Sequence, residues 1–132
     1  MPSIATVQEL VNGPRHLVLK VDIEGDGVTE IEDTLVEVGA YNCREVRLDS
    51  IKGNIDIFAL DLTWDGPTEA ALFTIGNETA QTDFINLDWS KTGGQINPKV
   101  ANYTGDVNMT TRNLGNGEKA SLEFHFIKKD IP

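Results

Sequence analysis

The chain has 132 residues, 39% hydrophobic and 24% charged, with 21 acids against 11 bases and a formal net charge of -10. That composition fits one globular domain with an ordinary core. A surface so acidic repels nucleic acid and anionic lipid, both of which need clustered Lys and Arg. Cys43 is the only cysteine, so neither an internal disulfide nor a cysteine metal cluster is available, and no apolar run approaches the ~20 residues that span a bilayer.

In chain order, "MPSIATVQELVNGP" lacks the basic region and long apolar stretch of a secretory leader, so a soluble protein made in a reducing cytoplasm is expected. Ile4, Val7, Leu10 and Val11 fit one helical stripe, but the stretch is too short to stand alone. Residues 1–14 are therefore expected to form an N-terminal arm that docks on a neighbour. "RHLVLKVDIE" then alternates with period 2, with Leu17, Leu19, Val21 and Ile23 on one face.

The following stretch, "DIEGDGVTEIED", spaces Asp22, Glu24, Asp26 and Asp33 much as an EF-hand loop spaces its ligands. Its flanks alternate like strands rather than helices, and Asp33 stands where that loop carries a bidentate Glu. The stretch reads as a turn, with a calcium-collecting loop as its alternative.

"DTLVEV" and "REVRLDSIKG" are short β-rich runs. "NIDIFALDLTW" puts Ile55 and Ile57 on one face and Phe58, Leu60, Leu62 and Trp64 on the other, which suggests a central strand or a strand at an interface. "WDGP" is a turn signal. "EAALFTIGN" and "QTDFINLDW" are further strand candidates, and "KTGGQINPKVANYTG" reads as a long loop. "DVNMTTRN" and "KASLEFHFIKK" are expected to form a hairpin through "LGNGE", whose Asn116-Gly117 favours a tight turn. The sum is an all-β chain, a single β-sandwich or jelly-roll-like domain of about eight strands over residues 15–132.

No constellation for catalysis emerges, and no cofactor is expected. His16 and His125 sit in separate strand runs, and no nucleophile elbow or phosphate-binding loop is present. Cys43 beside Arg44 reads as a structural cysteine. Asp56 and Asp61 frame an apolar run without the signature of an acid–base pair. Trp64 and Trp89 read as core residues before they read as a sugar-stacking platform.

Several segments together carry a resemblance. "RHLVLKVDIEGDG", "VRLDSIKGNID", "LTWDG", "INPKVANYTGDVNMTT" and "EKASLEFHFIKK", in this order over roughly residues 15–129, resemble a family of small virion structural proteins of tailed bacteriophages. That family shares an R-H-L-V-L-K-V opening and a late N-P-K-A-x-x-x-T-G-D-I segment. Val100 and Asn102 stand here where the family tends to have small residues. The resemblance implies a non-enzymatic virion component assembled in the host cytoplasm. A decoration or cement protein on the capsid surface, bound to the major capsid protein and trimeric, is what it most readily suggests. A tail, collar or fibre-associated protein is the alternative within that class, and a calcium- or carbohydrate-binding β module is the alternative outside it. Neither nucleic acid nor membrane is expected as a partner. Ile4, Val7, Leu10 and Val11 of the arm, with Phe58 and Trp64, are the expected interface residues.

Overall fold

Alternation decides which side of each strand is buried. The computed structural model describes residues 3–67, 69–76, 83–98 and 103–129. Among them are nine strands: β1 (Ile4–Asn12), β2 (His16–Glu24), β3 (Glu32–Val36), β4 (Glu45–Ile55), β5 (Ala59–Trp64), β6 (Ala70–Ile75), β7 (Asp83–Asp88), β8 (Val107–Arg112) and β9 (Lys119–Lys129). Single 3-10 turns lie at Val38–Tyr41 and Ser90–Thr92. The strands form two antiparallel sheets, in the orders β1-β2-β9-β4-β7 and β3-β8-β5-β6. The chain is an all-β sandwich.

The five-stranded sheet turns Leu17, Leu19, Val21 and Ile23 of β2, Leu122, Phe124 and Phe126 of β9, and Leu48, Ile51 and Ile55 of β4 inward. The four-stranded sheet meets them with Leu60, Leu62 and Trp64 of β5, Val107 and Met109 of β8, and Ile75 of β6. Each such side chain contributes about 1.5–3 kcal/mol of transfer free energy before ordering costs. Phe124 and Phe126 stack with ring centroids 6.3 Å apart in the middle of this layer.

The two-faced run at 54–64 is not one strand. Its apolar phase changes because the chain leaves one sheet and enters the other. Ile55 ends β4, and Phe58, which leads into β5, is likewise fully buried, while Ile57 between them is turned out to solvent. Asp56 fixes this crossing: its N–H donates to the Lys119 carbonyl at 3.0 Å, and its Oδ2 accepts the Lys119 N–H at 2.8 Å. The Phe58 N–H closes the turn on the Asp56 carbonyl at 2.9 Å. Phe58 and Trp64, expected at an interface, therefore lie in the core, at 0% and 1% exposure.

Two further expectations are corrected. Residues 4–12 of the expected arm form β1, an edge strand in register with β2 from Ile4↔Glu24 to Asn12↔Leu17. A register shift between Glu9 and Val11 accounts for the adjacent Leu10 and Val11, because a bulge breaks the period of 2, while Ile4 and Val7 lie on opposite faces of the strand. The "LGNGE" segment is not a hairpin turn, since β8 and β9 belong to different sheets. Buried Leu114 anchors it, and it pairs with the loop after β2 through Gly117 N–H to the Gly25 carbonyl and Gly25 N–H to the Glu118 carbonyl, both at 2.9 Å.

The close approach of β4 to β9 requires glycine at position 53. Gly53 has φ +140, and a Cβ there would lie 2.0 Å from the Ser121 carbonyl oxygen. Gly53→Ala should lower stability by at least about 1–3 kcal/mol through backbone strain alone, and Trp64→Ala by about 3–5 kcal/mol through the cavity it leaves. Urea unfolding followed by fluorescence measures both, using near-UV circular dichroism for the Trp64 variant.

Candidate functional site

The edge formed by β1 is the surface that sets this molecule apart. Exposed large hydrophobic side chains among the described residues are Ile4, Val7, Leu10, Val11, Val28, Ile57, Phe84 and Ile96. Half of them lie on this one strand, at 37–46% exposure, so the apolar surface is concentrated there. Val7 and Ala5 stand opposite Val21 and Ile23 on the core side of the sheet, whereas Ile4 and Thr6 stand opposite Glu24 and Asp22 on its outer side. β1 therefore carries exposed apolar groups on both of its faces. Its nine residues, "IATVQELVN", include one ionisable side chain, Glu9. A free edge with so little charge is normally guarded against pairing.

Side chains pin both ends of this strand. Before its start, the Ser3 N–H donates to Thr29 Oγ1 at 2.9 Å, Ser3 Oγ accepts the Asp26 N–H at 3.0 Å, and the Ser3 hydroxyl reaches the Thr29 carbonyl at 2.7 Å. Asp26 organises the receiving loop, its Oδ1 accepting the Val28 and Thr29 N–H groups at 2.8 and 2.7 Å. At the other end, the buried Lys128 ammonium donates to Asn12 Oδ1.

The stretch at 22–33 is thereby explained without a cation. Asp22 and Glu24 are on β2, with Asp22 3.5 Å from Lys20 Nζ. Asp26 spends its carboxylate on backbone N–H groups, and Asp33 lies on β3 of the other sheet. No three His, Cys, Asp or Glu side chains gather as a metal cluster among the described residues. The loop clamps the edge strand. Hydrogen bonds from the Thr29 and then the Val28 N–H, against a smaller opposing effect of desolvation, hold the Asp26 carboxyl well below the usual carboxylate range.

The other candidates serve structural contacts. Asp61 is raised by partial burial, yet the Arg112 guanidinium and the Thr74 hydroxyl outweigh this and lower it. Its Oδ2 lies 2.6 Å from Arg112 Nε. Burial pushes the Cys43 thiol up despite the charge of Lys128, which disfavours the nucleophilic thiolate. Trp89 packs edge-on to Phe73 at 5.1 Å, and Trp64 is in the core, so the two tryptophans form no platform.

The segment "YTGD" latches three connections together. The Asp65 N–H donates to the Asp106 carbonyl at 3.0 Å, and Asp65 Oδ2 accepts the Thr104 hydroxyl at 2.8 Å. Asp106 Oδ1 accepts the Val38 N–H at 2.9 Å. Gly105, at φ +91, lets the Arg44 carbonyl approach, where a Cβ would be 2.0 Å away.

One pair escaped sequence reasoning. His16 Nδ1 and His125 Nε2 lie 2.9 Å apart across β2 and β9, although 109 positions separate them in the chain. No local motif could have signalled this, because only the strand register brings the two rings together. With the geometry established, comparison with family models, curated proteins and solved structures finds no match.

Because the folded pKa of Asp26 is depressed, its contribution to stability is present above the unfolded value of about 3.9 and is lost as pH falls through the lower folded value. Asp61 and Asp88 are depressed as well and add to the same trend. Stability should fall as the solution is acidified below about pH 4, with a shallower slope in Asp26→Asn. Urea titrations across that range check the sign. Hydrogen exchange at residues 4–7 should quicken in the variant if Asp26 clamps β1.

Proposed function

We propose that this protein is a non-enzymatic structural component of a tailed-bacteriophage virion, a decoration protein that binds the major capsid protein and stabilises the head lattice. The observation that carries this reading is the β1 edge. It offers the outward backbone N–H and C=O groups of alternate residues along a nine-residue edge strand, four exposed aliphatic side chains and a single charge, on a chain whose net charge is -10. An edge of that kind suits β-strand addition, in which a partner's main chain provides affinity and its alternate side chains provide register.

The resemblance over roughly residues 15–129 supports the same class. The T-G-D portion of its late segment, Thr104, Gly105 and Asp106, serves as the latch between loops, as expected of a motif kept for architecture. Support for a non-enzymatic role is the use made of the reactive side chains. Asp26 accepts backbone N–H groups, Asp61 is paired with Arg112, and Cys43 is buried with its thiol pushed up. A trimer around a local symmetry axis of the lattice belongs to the proposal.

Cosedimentation with undecorated capsids tests the role. Full-length protein should saturate capsids at hundreds of copies per particle, on the order expected of a lattice component. Leu10→Lys combined with Val11→Lys should lose most of that binding while keeping the wild-type circular dichroism spectrum, since isolated exposed substitutions shift stability by only about 0.5 kcal/mol. Copurification with tails at a few to dozens of copies would transfer the protein to the tail, and failure to bind any particle would overturn the proposal.

A further inference from the structure

We propose that His16 and His125 form a chelating site for a late first-row divalent cation, in the class of Ni2+, Cu2+ and Zn2+, on the outer face of the five-stranded sheet. The two imidazoles come from adjacent strands held by nine consecutive register pairs, His16↔Ile127 through Glu24↔Lys119. Their Cα positions are therefore set by the fold before any ion arrives. His16 Nδ1 and His125 Nε2 are 2.9 Å apart, with ring centroids at 5.1 Å and planes at 47°. Two metal–nitrogen bonds of about 2.0–2.1 Å meeting at roughly 90–110° place their nitrogens about 2.9–3.4 Å apart. The observed separation lies at the 90° end of that span. It suits octahedral or square-planar coordination once the two rings turn their lone pairs from each other toward a common point, and tetrahedral zinc after a small further opening.

In the metal-free pair one ring donates its N–H and the other accepts. An incoming cation takes one lone pair from each ring: the ring that donated the bridging N–H changes tautomer, its proton passing through solvent to its other ring nitrogen, so binding to two neutral imidazoles releases no net proton. His16 is exposed and His125 half-buried, which gives the ion an open approach from solvent. The groups around the pair are set by the same register. Val18 and Ser50 stand opposite His125 on its two flanking strands, Arg47 stands opposite Ile127, and Lys20 opposite Glu123. Arg47 is already paired with Asp49 at 2.8 Å. No third His, Cys, Asp or Glu joins the pair among the described residues, so water completes the coordination shell. The net charge of -10 favours cation approach, and imidazole donors select borderline metals over Ca2+ and Mg2+.

Titration calorimetry of the full chain with NiCl2, CuCl2 and ZnCl2, alongside CaCl2, tests the site. Saturable binding of one transition-metal ion per chain is expected, with no calcium response. His16→Ala and His125→Ala should each abolish that binding, and Cys43→Ala should leave it unchanged. On the unmodified protein, zinc should shift the ring resonances of both histidines together in proton–nitrogen correlation spectra. Absence of binding by all three ions, or binding that persists in the double variant, would overturn the assignment and leave the pair as a hydrogen bond between strands. Neither result bears on capsid attachment, which is read from cosedimentation.

Discussion

β9 is the last described strand in the chain and the middle strand of its sheet, and the rest of the architecture depends on that placement. It pairs with β2 on one side and β4 on the other, so partners from the first quarter of the chain and from its middle wait for the same late segment. Its inward residues Leu122, Phe124 and Phe126 are 0–1% exposed and form the centre of the sandwich. Until β9 docks, β1 and β2 are an isolated hairpin, which is at most marginally stable in water. Such long-range pairing predisposes the chain to slow folding, because loop-closure entropy comes before the contacts that offset it. The Gly53 approach and the Asp56 crossing both act on this strand: one admits the Ser121 carbonyl, the other binds Lys119 at the strand's start.

The connections explain how so small a sandwich closes. Most consecutive strands lie in opposite sheets, with β1–β2 and β5–β6 the in-sheet neighbours. Every crossing needs its backbone groups satisfied away from the ladders. Asp56, Asp26 and Asp106 each provide this with a short carboxylate that accepts backbone N–H groups. Part of the acidity that appears in the composition as charge thus serves as turn chemistry. The bulge at Asp49 in β4 serves the same purpose, since the Trp89 N–H donates to its carbonyl at 2.7 Å and Gln95 bridges to Leu48 beside it.

What was legible in the sequence was local. Period 2 identified β2 with its buried face, because a strand with one side in a core repeats that choice at every second residue, and β9 was legible as a strand. Asn116-Gly117 was legible as a turn but misleading as a hairpin, since nothing local tells whether the next strand returns to the same sheet. The run at 54–64 carried its own correction in the phase change between Ile55 and Phe58, which alternation on both faces concealed. β1 imitated a helix because the bulge near Leu10 and apolar side chains on both faces put apolar residues at spacings a single buried face would not permit. Of the site, the four aliphatic residues of β1 could be named in advance, and their setting on a pinned edge strand could not. The histidine pair was invisible, being a product of register alone.

The charge of the molecule and the neutrality of its edge work together. An unguarded β edge invites pairing with any exposed strand, and β3, an edge strand of the other sheet, opens with Glu32 and Asp33. β1 lacks such guards, yet a net charge of -10 repels other copies before their edges meet. That repulsion is screened within about 8–10 Å at physiological salt, so it slows encounter without weakening a contact once formed. On the proposed capsid role, a lattice that held positive charge nearby would reverse the long-range term and leave the short-range apolar contact intact. The clamps at Ser3 and Asn12 belong to the same logic, because an edge already held straight at both ends gives up less conformational entropy when another strand is added to it.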